Sequence, residues 1–338
     1  MINKKVTYIL LSLAVLIIAP IAWLQFANQK TPYIFMEGKA LGVFFAVSYQ
    51  GDARLEKSLD SMINEFDKAL NYNRPDSEIS RFNRNGYVEF QTSILYQVLL
   101  ESNYYTNTYK GAVNHLILPL ILAWGQDFSN KRLMSEERIE ELKSLCQPEN
   151  LEINPRFARA KKEGVMINLS YIDKGYLIDL LTEFLLDKGV RNFQIEFGTD
   201  AVSYGKSPGE KDHKLVIINP EGSTESKSFI NETKLKNLAY SSSGNFEKFY
   251  VDDKGFKHSH LLDPRTGRPI ENKILSAHIK APTCTQADAL ATICMILTLE
   301  ESQEIISSDP NLEGLIVYNE RGELSTWKSK GFDLVEGK

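Results

Sequence analysis

The 338-residue sequence predicts an α+β fold, a mostly antiparallel sheet with packed helices, preceded by one N-terminal transmembrane helix. Most strand-like segments follow one another as hairpins, and regular strand–helix–strand units are few. No linker rich in Pro, Gly or Ser interrupts the chain after Tyr33. We therefore expect a membrane anchor over residues 1–30 and a single globular domain over residues 31–338.

The anchor is predicted from an uncharged apolar run, Val6 to Ala27, which follows Lys4 and Lys5. At 1.5 Å per residue, about 22 residues reach ~33 Å, enough to cross the hydrocarbon core of a bilayer. The basic residues before the run and Trp23 near its end place the N-terminus in the cytoplasm, so the domain is expected outside it. A cleaved signal peptide is the alternative, but the run is long and no clear small-x-small cleavage site follows.

Composition narrows the class of protein. The formal net charge of −5 does not favour a nucleic-acid partner. The three cysteines, Cys146, Cys284 and Cys294, make an odd number, and we expect all of them to be buried thiols. A bridge between Cys284 and Cys294 is disfavoured because both fall within one turn and helix.

Elements of secondary structure are predicted from periodicity. Apolar residues at three- and four-residue spacing predict helices, and segments rich in β-branched and aromatic residues predict strands. Residues 115–125 form an apolar stretch that Pro119 is expected to break. The predicted helices are 55–70, 93–108, 135–145, 176–188 and 287–299, and the predicted strands are 40–49, 164–170, 192–197, 214–219, 238–242, 246–251, 274–281 and 314–318.

The first polar cluster with chemical potential is residues 258–267. It holds two histidines, an Asp-Pro turn and an Arg, and His260 supplies a group that titrates near neutral pH. Gly267 provides the positive φ that such a turn needs. An ordinary hydrogen-bonded surface loop remains the alternative.

The second polar cluster is Asp288 and Thr292, four residues apart in an apolar helix. Both side chains lie on one face, and their oxygens suit Mg²⁺ or Ca²⁺. A buried carboxylate needs a partner, which a metal ion would supply. Alternatively, Asp288 caps a helix or forms a salt bridge and Thr292 bonds a backbone carbonyl.

Two further segments suit anions. Lys174 and Gly175 open a helix, where backbone N–H groups attract phosphate, although Tyr171 and Asp173 stand where a phosphate loop would carry Gly. Residues 241–244, three serines and a glycine, could donate hydroxyls and amides, but an ordinary strand-ending turn is at least as plausible.

Together these blocks resemble the ApbE-type FAD:protein FMN transferases of the bacterial periplasm, over about residues 39–324. The last two blocks carry the most specific resemblance. The matching segments are 73–83 (NRPDSEISRFN, similar to YRPDSELSRFN), 118–125 (similar to GPLVNLWG), 168–176 (similar to DLGGIAKGY), 198–200 (similar to GGD), 242–244 (similar to TSG), 258–267 (similar to SHIIDPRTG) and 287–292 (identical to ADALAT).

The resemblance implies a single ApbE-like flavin transferase domain that binds FAD and Mg²⁺. A Thr or Ser hydroxyl of a target protein attacks the FMN phosphorus, and AMP leaves. The implied metal ligands are Asp288, Thr292 and the carbonyl of Tyr171, and the implied catalytic base is His260. The implied FAD contacts are Lys174, Asn168 on the adenine side, Asn73 in the early block, and Leu41, Leu118, Pro119, Leu120 and Leu262 around the flavin.

Several positions depart from the family pattern. Leu41-Gly42-Val43 replaces MGT, and Asn73 replaces a Tyr, although Tyr72 is adjacent. The approach to Pro119, residues 114–119, lacks the Asp, Thr and Gly of DPTVGP. Tyr171 replaces a Gly and could narrow the flavin pocket. Asp173 replaces an Ala and would either add a carboxylate beside the metal or repel the pyrophosphate.

The expected function is therefore Mg²⁺-dependent flavinylation of membrane or exported redox proteins. The expected location is the bacterial inner membrane, with the domain on the periplasmic side. One alternative is a hydrolase that splits FAD into FMN and AMP. Another is a flavin-binding or scavenging protein without catalysis, and a structural module is the last.

Overall fold

The computed structural model describes residues 31–125, 134–218, 220, 229–244, 249–251, 257–259 and 261–335. Within these ranges no helix is both long and apolar enough to cross a membrane. The predicted anchor and His260 lie outside the described residues. The helices are α1 (Leu55–Leu70), α2 (Glu78–Asn85), α3 (Ile94–Thr108), α4 (Leu118–Trp124), α5 (Glu136–Leu145), α6 (Asp173–Asp187), α7 (Cys284–Ile296) and α8 (Leu299–Ser308), and a 3₁₀ turn covers Pro148–Asn150.

The strands form one large sheet and several small ones. They are β1 (Tyr33–Ala40), β2 (Val43–Gln50), β3 (Tyr87–Glu89), β4 (Leu151–Ile153), β5 (Phe157–Ala160), β6 (Phe193–Phe197), β7 (Asp200–Tyr204), β8 (His213–Ile218), β9 (Phe229–Leu235), β10 (Leu238–Gly244), β11 (Phe249–Val251), β12 (Lys257–Ser259), β13 (Leu262–Asp263), β14 (Arg268–Pro269), β15 (Ile274–Ala281), β16 (Glu313–Glu320) and β17 (Glu323–Lys328).

The large sheet has eight strands in the order β1-β2-β6-β7-β10-β15-β16-β17. Every neighbouring pair in it is antiparallel, which confirms the α+β prediction. Hairpins such as β1–β2 and β6–β7 join strands that lie next to each other in the chain. Such connections need only short turns, whereas parallel strands would need crossovers.

The two faces of this sheet meet different layers. On β10, Ala239 belongs to the main core, which includes apolar residues of α1, α3, α6 and α7, whereas its neighbour Tyr240 belongs to a second, smaller core. Alternating residues of a strand point to opposite faces, so the helices cover one face only. The β8–β9 hairpin and Phe332 contribute to the small core on the other face.

Helix α7 occupies the centre of the main core. Of its 13 residues, 11 are buried, and it packs against β10, β15 and α6. A helix that is apolar on all sides is stable only when surrounded, and the polar residues Thr285 and Asp288 are buried with it.

One predicted strand, 164–170, is wrong. Ile167 donates its backbone N–H to Asn83 Oδ1 (2.6 Å) and accepts from Asn83 Nδ2 (2.9 Å). The amide of Asn168 donates to the carbonyl of His115 (2.8 Å). Because these partners satisfy the backbone, the segment is an extended loop and does not join a sheet.

Other differences concern where elements begin. Pro119 lies in the first turn of α4, where it starts a helix instead of breaking one. The helix predicted at 287–299 begins earlier, at Cys284, because Thr283 caps it, and a separate helix α8 begins at Leu299. The three cysteines are unpaired and buried, as predicted.

Candidate active site

Four separate segments meet at one buried position under the sheet. They are the start of α6, the first residue of β7, the middle of β10 and the first half of α7. Asp173, Asp200 and Asp288 each expose 5% of their surface or less. We call these three carboxylates, together with Lys174, the acidic cluster.

Lys174 is the cation at the centre of the acidic cluster. Its Nζ lies 3.3 Å from Asp173 Oδ1, 3.7 Å from Asp200 Oδ2 and 3.8 Å from Asp288 Oδ2. It also donates to the carbonyl of Ser170 (3.1 Å). Three carboxylates share one ammonium, so the cluster carries an excess of negative charge when all groups are ionised.

Asp200 lacks a full set of partners. Its Oδ1 accepts a hydrogen bond from the hydroxyl of Ser241 (2.5 Å). Its Oδ2 is buried and accepts no hydrogen bond from the described residues. An unsatisfied buried carboxylate oxygen is costly, and an additional cation would relieve that cost.

Burial dominates the protonation of these groups. Burial, and after it the negative charge of Asp288, raises the pKa of Asp200 to about 8. Burial also raises the pKa of Asp288 and of Asp173 above their usual range. Burial alone would lower the pKa of Lys174, but the surrounding carboxylates outweigh it, and the pKa lies well above its usual value. The lysine is therefore charged.

The side chains of the predicted metal ligands Asp288 and Thr292 both lie on α7. Asp288 Oδ2 accepts the backbone N–H of Gly175 (3.0 Å), and Thr292 lies one turn further along α7, half-buried. Among the described residues no three His, Cys, Asp or Glu side chains are arranged to hold a metal ion. The predicted donors, one carboxylate, one hydroxyl and one carbonyl, need no such trio, and the excess negative charge and the unsatisfied Asp200 oxygen fit a divalent cation.

Tyr171 does not use its side chain at this site. The ring is buried in the main core, and its hydroxyl lies 2.6 Å from Ser102 Oγ on α3. The residue is therefore packed inside the domain, where it exposes 7% of its surface. The backbone carbonyl of Tyr171 precedes the first turn of α6 by two residues, next to the acidic cluster in sequence.

The chain is similar to known proteins in both sequence and fold. Residues 41–316 match the ApbE family. The chain belongs to the ApbE family. It is 24% identical over 327 residues to the FAD:protein FMN transferase of Haemophilus influenzae, which covers 92% of this chain and 94% of that one. It is 25% identical over 321 residues to the FAD:protein FMN transferase of Escherichia coli K12, covering 90% of each.

The fold is shared with solved ApbE structures. The flavin transferase ApbE from Vibrio cholerae superimposes with a TM-score of 0.74 at 22% identity, covering 89% of this chain and 98% of that one. At this level of identity the likeness concerns the fold, and the chemistry must be argued from this chain's own residues.

The ApbE block around Asn168 is held by one neighbouring residue and one remote residue. The Oδ1 of Asn168 accepts from the N–H (3.0 Å) and the hydroxyl (2.7 Å) of Ser170. The hydroxyl of Tyr72 accepts the N–H of Leu169. Tyr72, beside the predicted cofactor residue Asn73, therefore buttresses the loop that leads into the acidic cluster.

The first predicted flavin residues adjoin one another. Leu41 is half-buried with a positive φ of 52°, and its N–H donates to Asp67 Oδ1 (2.9 Å). A side chain at Gly42 would meet Asn73 Nδ2, which places Asn73 beside this turn. Asp67 also pairs with Arg74 (3.1 Å), so the same carboxylate bonds both the turn at Leu41 and the side chain of Arg74.

The remaining flavin residues differ in exposure. Leu118 is half-buried at the start of α4, and Pro119 is buried beside it. Leu120 and Leu262 are buried in the main core. Gly267 has the predicted positive φ (71°). Its carbonyl accepts the indole N–H of Trp124 (2.8 Å), which ties α4 to the loop that follows His260 in sequence.

The sequence reading missed three acids. The sequence indicates Asp200 only as part of the block 198–200, and it predicts no role for Asp67 or Asp179. Asp179 interrupts an apolar helical run, Leu177 to Leu181, which is a detectable signal because a charge there needs a buried partner. Its partners, Cys284 and Thr285, are more than 100 residues away.

Proposed function

We propose that this chain transfers FMN from FAD to a Thr or Ser hydroxyl of a target protein, in a reaction that needs Mg²⁺ and releases AMP. Membership of the ApbE family supports the reaction class. The acidic cluster is the observation that carries the proposal, because its three carboxylates, when ionised, outnumber Lys174 and so suit a divalent cation. That cation, together with Lys174, would in turn suit a pyrophosphate.

In this reaction the acceptor oxygen forms a bond to the FMN phosphorus. The bond between that phosphorus and the oxygen of the AMP phosphate breaks, and AMP departs with the electron pair. His260 is proposed to take the proton from the acceptor hydroxyl, which suits a group that titrates near pH 7. FMN then remains on the target through a phosphoester.

The other residues are proposed to bind and orient. When bound, Mg²⁺ supplies charge neutralisation on the pyrophosphate. Asp288, Thr292 and the Tyr171 carbonyl would hold it, and Lys174 would contact the phosphates. Asn168 is proposed on the adenine side, and Leu41, Asn73, Leu118 and Leu262 near the flavin.

The test follows two products of one reaction. Full-length chain in detergent is mixed with FAD, Mg²⁺ and an acceptor protein that carries a Thr flavinylation site. AMP release and flavin fluorescence of the acceptor in a denaturing gel are measured with and without EDTA. We expect both signals, and both should vanish with EDTA. AMP without labelling would favour the hydrolase, and bound flavin with neither product would favour a binding protein.

A pair of variants tests the metal assignment in the same assay. Asp288→Ala should abolish Mg²⁺-dependent turnover because it removes the charged ligand. Asp187→Ala changes an exposed acid at the end of α6 and should behave as wild type. Turnover that survives in Asp288→Ala at wild-type Mg²⁺ dependence would refute the assignment.

The N-terminal apolar run indicates where in the cell the chain is located. We infer that residues 6–27 anchor the chain in the inner membrane of a bacterium and that the domain faces the periplasm. Acceptors on membrane or exported redox proteins would then lie on the same face. The uncharged run preceded by two lysines supports this orientation.

A further inference from the structure

The first turn of α7 is capped from another helix. Thr283 Oγ1 accepts only the N–H of Gln286 (3.3 Å) among the free amides of that turn. The N–H groups of Cys284 and Thr285 donate to the two carboxylate oxygens of Asp179 on α6, at 2.7 and 2.8 Å. The hydroxyl of Thr285 adds a third bond to Asp179, at 2.5 Å. A helix N-terminus thus finds its counter-charge on a neighbouring helix.

The reverse bond exists as well. Gly175 lies one turn before Asp179 on α6, and its N–H donates to Asp288 Oδ2 (3.0 Å), one turn after Cys284 on α7. Each helix therefore supplies the acid that caps the first turn of the other. The two contacts lie one helical turn apart, so together they fix both the distance between α6 and α7 and their axial register.

The helices touch at the point between these bonds. A β-carbon at Gly175 would lie 2.4 Å from the carbonyl oxygen of Cys284 and 2.8 Å from Asp288 Cβ. Any change in how α7 sits on α6 therefore moves the Asp288 carboxylate directly. Such close packing transmits small displacements instead of absorbing them.

We propose that Asp179 is a positioning residue for the cation site: it holds the first turn of α7 so that Asp288 and Thr292 keep the position relative to α6, and so to the Tyr171 carbonyl, that binds the divalent cation. The proposal rests on the proposed function, which supplies the cation. Among the described residues, the side chain of Asp179 bonds only α7, and it acts through the placement of that helix.

The test compares Asp179→Asn with Glu183→Gln in the full-length chain. Asn keeps the size of the side chain but loses the charge and turns one acceptor into a donor that faces an N–H. Glu183 is an exposed acid one turn further along α6 and serves as the matched control. The dissociation constant of Mn²⁺ is measured by electron paramagnetic resonance in the presence of FAD, together with the Mg²⁺ dependence of AMP release.

For Asp179→Asn we expect the Mn²⁺ dissociation constant and the half-activating Mg²⁺ concentration to rise about 10- to 100-fold, as is typical when residues behind metal ligands are changed. The rate at saturating Mg²⁺ should stay near wild type. Thr285→Val, which removes one of the three bonds, should give a smaller rise, and Glu183→Gln none.

Two results would overturn the proposal. Unchanged cation constants in Asp179→Asn would do so, and so would a lower saturating rate with unchanged constants, since that pattern marks a purely structural role. If wild type itself neither binds Mn²⁺ nor releases AMP, the proposed function fails first and takes this inference with it. That failure is recognisable because it appears before any variant is made.

Discussion

Two buried histidines show how single residues set the pH response of this molecule. His115 and His278 are each 1% exposed, and burial lowers their pKa to about 4 and about 3. Below the usual pKa of 6.5, these histidines bind protons in the unfolded chain but stay neutral in the folded chain. These histidines therefore do not reduce the free energy of unfolding above pH 6.5, and they lower it progressively as the pH falls toward 4.

The two histidines differ in their partners. His278 Nδ1 lies 2.8 Å from the Tyr240 hydroxyl, and its Nε2 lies 3.0 Å from Ser276 Oγ. His115 Nδ1 is buried without a hydrogen-bond partner among the described residues. Replacing His115 by an apolar side chain therefore removes a proton-binding group and an unsatisfied nitrogen together.

We expect His115→Leu to flatten the acid side of the stability profile. Between pH 7 and 4.5 wild type should lose about 2 to 3 kcal/mol more unfolding free energy than the variant, from a pKa difference of roughly 2.5 units. Urea unfolding at both pH values measures this difference. At pH 7 the variant should be no less stable than wild type. Parallel pH profiles would show that His115 is not protonated on unfolding in this range.

At the level of elements, the contact between α6 and α7 depends on a residue without a side chain. Gly175 lies against the backbone of Cys284, and the backbone is the part least able to move. The same contact carries the hydrogen bond to Asp288. One glycine therefore decides both the packing of two helices and the place of a candidate metal ligand.

Gly175→Ala should lower the free energy of unfolding by about 1 to 3 kcal/mol, the usual cost of overpacking. It should also weaken divalent cation binding, because the added methyl group displaces Asp288. Gly189→Ala at the other end of α6 is the matched control: its φ of 79° strains an Ala, but nothing lies within 4 Å of the new atom. Both variants should therefore lose stability in thermal unfolding, and Mn²⁺ titration separates them. Equal cation affinity in both variants would contradict the argument.

At the scale of the whole molecule, only a short connection separates the predicted anchor from the domain. The domain begins its first strand at Tyr33, six residues after the predicted anchor ends at Ala27. So short a connection would keep the domain close to the bilayer surface, since six residues span at most about 20 Å.

We expect the full-length chain in bacterial cells to stay in the membrane fraction after an alkaline carbonate wash. Leu16→Arg, which places a charge at the middle of the run, should shift it to the soluble fraction, and Leu16→Ile should not. Immunoblots of both fractions measure the partition. A full-length wild-type chain found in the soluble fraction would refute the anchor.

Segments in which apolar residues recur at regular spacing were predicted correctly as helices or strands. Helix 55–70 and strand 274–281 were predicted with the bounds that the structure shows, because their apolar patterns are regular and locally visible. The false strand 164–170 has an equally apolar pattern. It failed because Asn83 and His115, both remote in sequence, take its backbone hydrogen bonds.

By itself, the sequence determined the α+β class, the family resemblance and the residue types at Asp288, Thr292 and Lys174. Only the tertiary structure decided that Asp200 joins them and that Asp179 caps α7. Asp288 and its partner Gly175 are 113 residues apart, and Asp200 and Ser241 are 41 apart. Local patterns record which face of an element is apolar, but they do not record which remote hydrogen-bond partner a buried acid will meet.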